Sequence, residues 1–206
     1  MSIGRNGSNR RTDRVGGRRP AGSVGRVIVC SILARAWFSY GPVVPKLSAG
    51  LLLYRGDGDR LEVLLGHPGG PFWARKDDGA WSVPKGEYAE GEDPWTVAQR
   101  EFSEEVGKPP PTGPRLDLEP VRQPGGKIVT VFAVHADLDL TGTVSNTFTM
   151  EWPRGSGQQR EFPEIDRLAW FDLAAARVKL LTGQRPLVDR LQEAVGPAAP
   201  PASRSR

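Results

Sequence analysis

Three glutamates crowded into one short stretch, Glu101, Glu104 and Glu105, form the densest set of chemically useful groups in the chain. Spacings of three and four place them on one face if the segment is helical, because successive residues step about 100° around the axis. Like charges on adjacent turns repel and destabilise an isolated helix. A divalent cation offsets that repulsion. Hard cations such as Mg²⁺, with Mn²⁺ as the alternative, take oxygen ligands and bridge protein carboxylates to substrate phosphates. Arg100 precedes Glu104 by one helical turn and is spaced to pair with it. Taken alone, the same pattern also serves as an ordinary solvated acidic face. The chain has a single cysteine, Cys30, and two histidines, His67 and His135. No Cys/His zinc cluster can be built from these, and the two histidines are read as non-ligands.

The element that must carry the glutamates has clear ends. Asp93 is placed to cap a helix whose first residue is Pro94, where the missing N–H costs nothing. The helix is expected to run to Val106 and stop at Gly107, before Lys108 and the prolines 109–111. Trp95, Ala98, Phe102 and Val106 fall on a face beside the glutamates and are expected to pack on a sheet. Glu92 lies at the helix start, where the helix dipole favours negative charge.

Around this helix the apolar patterning predicts strands over residues 48–55 and 61–66, joined by a Gly-Asp turn, and a short strand over 80–83 ending at Pro84. A strand pair is expected at 116–122 and 128–136, with further strands at 147–152 and 168–171. Helices are expected over 173–181 and 186–195. Strands and helices mix without a βαβ rhythm, which predicts a mixed sheet with helices packed on it.

Charge is unevenly distributed. Residues 1–46 hold nine Lys/Arg and one Asp, which leaves 19 basic and 23 acidic residues in the remainder. The basic pI therefore belongs to the first segment, and an enzyme-wide nucleic-acid surface is not expected. Residues 1–46 read as a disordered basic extension, 47–195 as the folded domain, and 196–206 as a disordered tail. The apolar run at 27–40 is too short to span a membrane. A cytoplasmic protein is expected.

From Gly86 to Gly107 the chain reads GEYAEGEDPWTVAQREFSEEVG. Through Gly86, Glu92, Arg100, Glu101, Phe102, Glu104, Glu105 and Gly107 it resembles the Nudix hydrolase family. Lys108 departs from the pattern, at a structural position where the family usually has an aliphatic residue. The resemblance covers residues 47–195. It implies an α+β fold, an α/β/α sandwich around a mixed sheet, and a Mg²⁺-dependent pyrophosphohydrolase that cuts a diphosphate bond in a nucleotide-like small molecule. It also implies that Glu101 and Glu105 are principal metal ligands, Glu104 a third, and the Gly86 carbonyl a further donor. Arg100 and Glu92 become orienting residues.

The general base is left open among Glu161, Glu164, Asp166 and Glu101 itself, with Glu164 preferred. Lys85 is a candidate phosphate contact. Trp73, Arg75 and Lys76, with Phe72, are candidates to stack on a base and meet polyphosphate. Phe148 and Trp152 are further pocket candidates, whereas Trp81 is expected in the core. The stretch 84–93 is similar to the diadenosine-polyphosphate branch of the family, so a dinucleoside polyphosphate or an NTP, oxidised forms included, is the expected substrate. Two other readings compete: a nucleotide-binding regulatory module without catalysis, and an RNA-directed enzyme that uses the Arg-rich extension. Nothing in the sequence speaks to the oligomeric state.

Overall fold

A computed structural model describes residues 45–196. The expectations for residues 1–44 and 197–206 lie outside the described residues. The fold grows around β1 (Leu47–Arg55), whose central residues are all buried. A strand buried on both faces reads as an unbroken apolar run, which LLLY supplies.

β1 runs parallel to β5 (Ile128–His135) along its length, from Leu47 opposite Ile128 to Tyr54 opposite His135. Its other edge is shared. β3 (Lys85–Tyr88) pairs antiparallel with Leu47 through Gly50, and β2 (Glu62–Pro68) pairs with Tyr54 and Arg55. β4 (Arg115–Arg122) borders β5, and β8 (Ile165–Asp172) borders β2, giving the order β4-β5-β1-β2-β8 with β3 off that path. A separate antiparallel ribbon joins β6 (Thr147–Glu151) to β7 (Gln159–Pro163).

Alternation along the strands divides the core in two. Ala49, Leu51 and Leu53 of β1 and Phe132 and Val134 of β5 pack under α1 (Pro94–Val106), against Val97, Ala98, Phe102 and Val106. Leu52 and Tyr54, with Val129, Val131 and Ala133, face the opposite layer. There they meet Leu173 and Ala176 of α2 (Leu173–Lys179) and Leu187, Val188 and Leu191 of α3 (Pro186–Val195). The result is the expected α+β sandwich, a mixed sheet between helices. No helix among the described residues is long and apolar enough to cross a membrane.

Three elements differ from expectation. The strand predicted at 80–83 falls instead at Lys85–Tyr88. Ala80, Trp81 and Val83 are buried, so the segment looks like a strand. Its backbone is committed elsewhere: Trp81 N donates to Lys179 O at 3.0 Å and its carbonyl accepts from Leu181 N at 2.9 Å. Those bonds also end α2 at Lys179 rather than 181, because Leu180 turns extended to reach Trp81. β7 was not anticipated, since none of QREFP is fully buried and a two-stranded ribbon leaves no apolar alternation to read.

Candidate active site

α1 begins where the sequence places it. The Asp93 carboxylate accepts from Thr96 N at 3.0 Å, Pro94 opens the first turn, and Gly107 closes the helix in the left-handed conformation at φ 73°. Phe102 is fully buried under the sheet. Its neighbour Glu101 points out of that core with a side chain 15% exposed, whereas Glu104 is 44% exposed on the outer rim.

The three glutamates have different partners. Arg100 Nη2 donates to Glu101 Oε1 at 2.9 Å, and the same guanidinium lies 3.7 Å from Glu92 and 4.0 Å from Glu104. Glu92 also accepts from Ala89 N at 2.6 Å, tying the loop before the helix to its start. Arg100 is therefore the hub that holds Glu92, Glu101 and Glu104 within one network. Glu105 lies away from it and accepts from Lys85 N at 2.8 Å. Burial pushes the Glu105 carboxyl up to about 7. The Lys85 charge and N–H oppose that shift, while Glu164 and Glu101 add to it. Burial pushes the Lys85 ammonium down, with the Glu105 charge as the leading opposing influence.

β3 brings Gly86 against the helix. A Cβ on Gly86 would lie 1.8 Å from Glu101 Oε2, so the carboxylate rests where any side chain would sit. The Gly86 carbonyl accepts from Ser48 Oγ at 2.6 Å. Gly50 does the same service for β3 as a whole, because a Cβ there would lie 2.7 Å from both the Pro84 carbonyl and Lys85 Cβ. Sequence reasoning missed Ser48 and Gly50. The available signal was a polar and a side-chain-free residue interrupting an otherwise apolar strand.

Glu164, at the junction of β7 and β8, is also pushed up, by burial and by the charges of Glu101 and Glu104. The other three base candidates are engaged elsewhere: Glu161 accepts from Thr147 Oγ1 in the ribbon, Asp166 Oδ1 lies 2.7 Å from His67 Nδ1, and Glu101 accepts from Arg100. Glu105 and Glu164 line an open groove of about 540 Å³ together with Phe72, Trp73, Phe148 and Met150. A larger hollow, about 660 Å³ between the β1–β2 turn and α3, contains none of the residues singled out from the sequence. Trp73 thus faces the groove and Phe148 joins it from the ribbon. Arg75 and Lys76 do not line it; Lys76 Nζ instead sits 4.4 Å over the Trp73 ring. Trp152 packs edge-on to Phe72 at the rim.

Among the described residues, no three acidic, histidine or cysteine side chains converge into a ready-made metal nest. Glu101 is turned to Arg100 and Glu105 to the Lys85 N–H. The donor set nonetheless fits a hard divalent cation. It is all oxygen, its three carboxylates sit on one rigid helix beside the Gly86 carbonyl, and burial holds one of them, Glu105, toward its protonated form.

The family model for the NUDIX domain matches residues 44–191. Among solved structures, the chain is similar to the NUDIX domain of Shewanella oneidensis NrtR complexed with ADP ribose, with 18% identity over 77% of this chain and 95% of that one and a TM-score of 0.52. It is also similar to a mutT/nudix family protein from Listeria innocua, with 17% identity over 74% and 95% of the two chains and a TM-score of 0.49. A C. elegans Ap4A hydrolase in a binary complex matches with 21% identity over 72% and 97% and a TM-score of 0.47. No curated protein matches the sequence. The match to the family model takes in the central sheet, the carboxylate helix and most of α3, and on that evidence the chain belongs to the Nudix family.

Proposed function

We propose that the protein is a Mg²⁺-dependent pyrophosphohydrolase that cleaves a diphosphate bond in a nucleoside diphosphate linked to a further group. A dinucleoside polyphosphate or a nucleoside triphosphate, oxidised forms included, is the favoured substrate. The observation that carries this reading is the place of Glu105, which belongs both to the carboxylate face of α1 and to the wall of the aromatic groove. Phosphates in that groove lie against the carboxylates, while Trp73, Phe72 and Phe148 offer faces on which a base stacks.

Glu101, Glu104 and Glu105, with the Gly86 carbonyl, are the residues that would hold the metal, and Arg100 and Glu92 fix the orientation of Glu101 and Glu104. The metal supplies charge stabilisation at the phosphoryl oxygens and an acidified water. The water oxygen forms a bond to one phosphorus as the bridging P–O bond breaks, and the departing phosphate takes the electron pair. The water proton passes to a carboxylate. Glu164 suits that role because burial and the charges of Glu101 and Glu104 raise its pKa and it lines the same groove. Lys85 stands beside Glu105 as the cation for a substrate phosphate.

The test is phosphate release with Mg²⁺ over dinucleoside polyphosphates, nucleoside triphosphates, nucleotide sugars and ADP-ribose, with the products identified. Glu105→Gln is expected to fold and to lose at least ~100-fold in kcat, because both a ligand and a charge are removed. Nucleotide binding without release by the wild-type protein would assign a binding module instead. Near-normal turnover by a folded Glu105→Gln protein would remove the metal assignment.

A further inference from the structure

Few polar side chains among the described residues are fully buried, and His67 is one of them, with no exposed surface at all. It sits at the end of β2, below the loop that forms one wall of the groove. Its Nε2 lies 2.9 Å from the Lys76 carbonyl, and its Nδ1 lies 2.7 Å from Asp166 Oδ1. A carbonyl only accepts, so Nε2 carries a proton and donates to Lys76. Arg167 Nε lies 3.4 Å from the same Asp166 oxygen, and the short Nδ1–Oδ1 hydrogen bond stands whichever of its two partners holds the shared proton. The ring is also wedged edge-on against Trp81, 5.2 Å away.

The two bonds reach two sides of the groove. Lys76 N donates to Trp73 O at 2.7 Å, so the Lys76 carbonyl terminates the turn that presents Trp73. Asp166 is two residues from Glu164, and the Glu164 carbonyl accepts from Gly69 N at 3.0 Å, where the loop begins. The loop is thus anchored at its start to Glu164 and at its end, through His67, to Asp166.

We infer that His67 is a positioning residue: by hydrogen bonding through both ring nitrogens, Nε2 to the Lys76 carbonyl and Nδ1 to Asp166, it locks the Trp73 wall of the groove to the segment that carries Glu164. This rests on the proposed function for its consequence in catalysis, but not for the clamp itself. It touches neither substrate nor the carboxylate helix, so its loss acts on how the nucleotide is held.

Two measurements on His67→Gln and on the pair Asp166→Ala and Asp166→Asn test it. Hydrogen exchange in the absence of nucleotide reads the clamp directly. The amides of Trp73 and Lys76 are expected to exchange faster in His67→Gln and Asp166→Ala, with α1 amides unchanged and with Asp166→Asn close to wild type, since its amide still bonds the ring. Kinetics with Mg²⁺ read the consequence: KM for the nucleotide is expected to rise ~10-fold in His67→Gln with kcat much less affected, in the range usual for a lost orienting partner. Unchanged loop exchange in folded His67→Gln overturns the clamp whatever the substrate. Faster exchange with unchanged KM overturns its role in holding substrate. If the wild-type protein hydrolyses nothing, the proposed function fails while the exchange result still decides the clamp. Imidazole ¹⁵N shifts showing Nε2 unprotonated also overturn it.

Discussion

At the scale of single residues, the carboxylate helix is poised between two charge states. Glu105 is the clearest case, with its carboxyl pushed up to about 7 from an ordinary 4.5, chiefly by burial. An acid whose pKa is raised on folding holds its proton more tightly folded than unfolded. The associated stability is present below the unfolded value and is lost as pH rises through the folded one. Metal-free protein is therefore expected to lose on the order of 3 kcal/mol between pH 4.5 and about 7 on account of this residue. Glu105→Gln keeps an oxygen for the Lys85 N–H but cannot ionise, so this part of the pH dependence should vanish. Melting curves in chelator at pH 5 and pH 8 check it: equal pH sensitivity in the two proteins would show that Glu105 is not strained by its charge. Much of this was legible beforehand. The spacing of Glu101, Glu104 and Glu105 shows in the sequence because a helix has a fixed period. The Lys85 N–H that sets Glu105 apart, and the Ser48 hydroxyl that holds the Gly86 carbonyl, come from strands distant in the chain, and no local pattern announces them.

At the scale of elements, legibility follows how local the determinants are. α1 matched expectation at both ends because its cap, its first-turn proline and its left-handed glycine are all within the helix or next to it. β3 was misplaced because burial of Trp81 and Val83 mimics a strand, while the pairing that makes one depends on Gly50 in β1 admitting Lys85. The β6–β7 ribbon escaped notice for want of a buried face, yet it supplies Phe148 and Met150 to the groove. The division of labour within α1 yields its own expectation. Phe102 is fully buried in the core on that side of the sheet, so Phe102→Ala should cost roughly 3–5 kcal/mol through a cavity. Glu101→Gln should cost little stability and lose most activity at saturating Mg²⁺. Thermal melts with and without Mg²⁺ discriminate: Mg²⁺ should still raise the melting temperature of Phe102→Ala while folded and should do less for Glu101→Gln. The opposite assignment would mean that the two faces of the helix are exchanged.

At the scale of the whole molecule, the sheet separates the carboxylate helix from α2 and α3, and a buried side-chain bond joins the backbone bonds of Trp81 in linking the α2–α3 layer to the segment that leads to the glutamates. Gln184, fully buried between α2 and α3, accepts from Val83 N at 2.9 Å. Val83 precedes Pro84, whose carbonyl accepts from Leu51 N at 3.1 Å, and Lys85, whose N–H holds Glu105. The path from the far layer to the carboxylates is thus one side chain and three consecutive backbone residues. Gln184→Leu would leave the Val83 N–H buried without a partner, at a cost of about 1–3 kcal/mol, and would free the segment that presents Lys85 and Gly86. Leu187→Ala, in the same layer but not bonded to that segment, should cost about 2–5 kcal/mol through a cavity alone. Both variants are therefore expected to melt earlier, but only Gln184→Leu should also weaken the stabilisation by Mg²⁺ and lower kcat. The measurement is a Mg²⁺ titration of melting temperature for both variants beside wild type. An identical Mg²⁺ response in the two would show that the far layer supports the site only through overall stability, and that the Gln184–Val83 bond does not position the residues around Glu105.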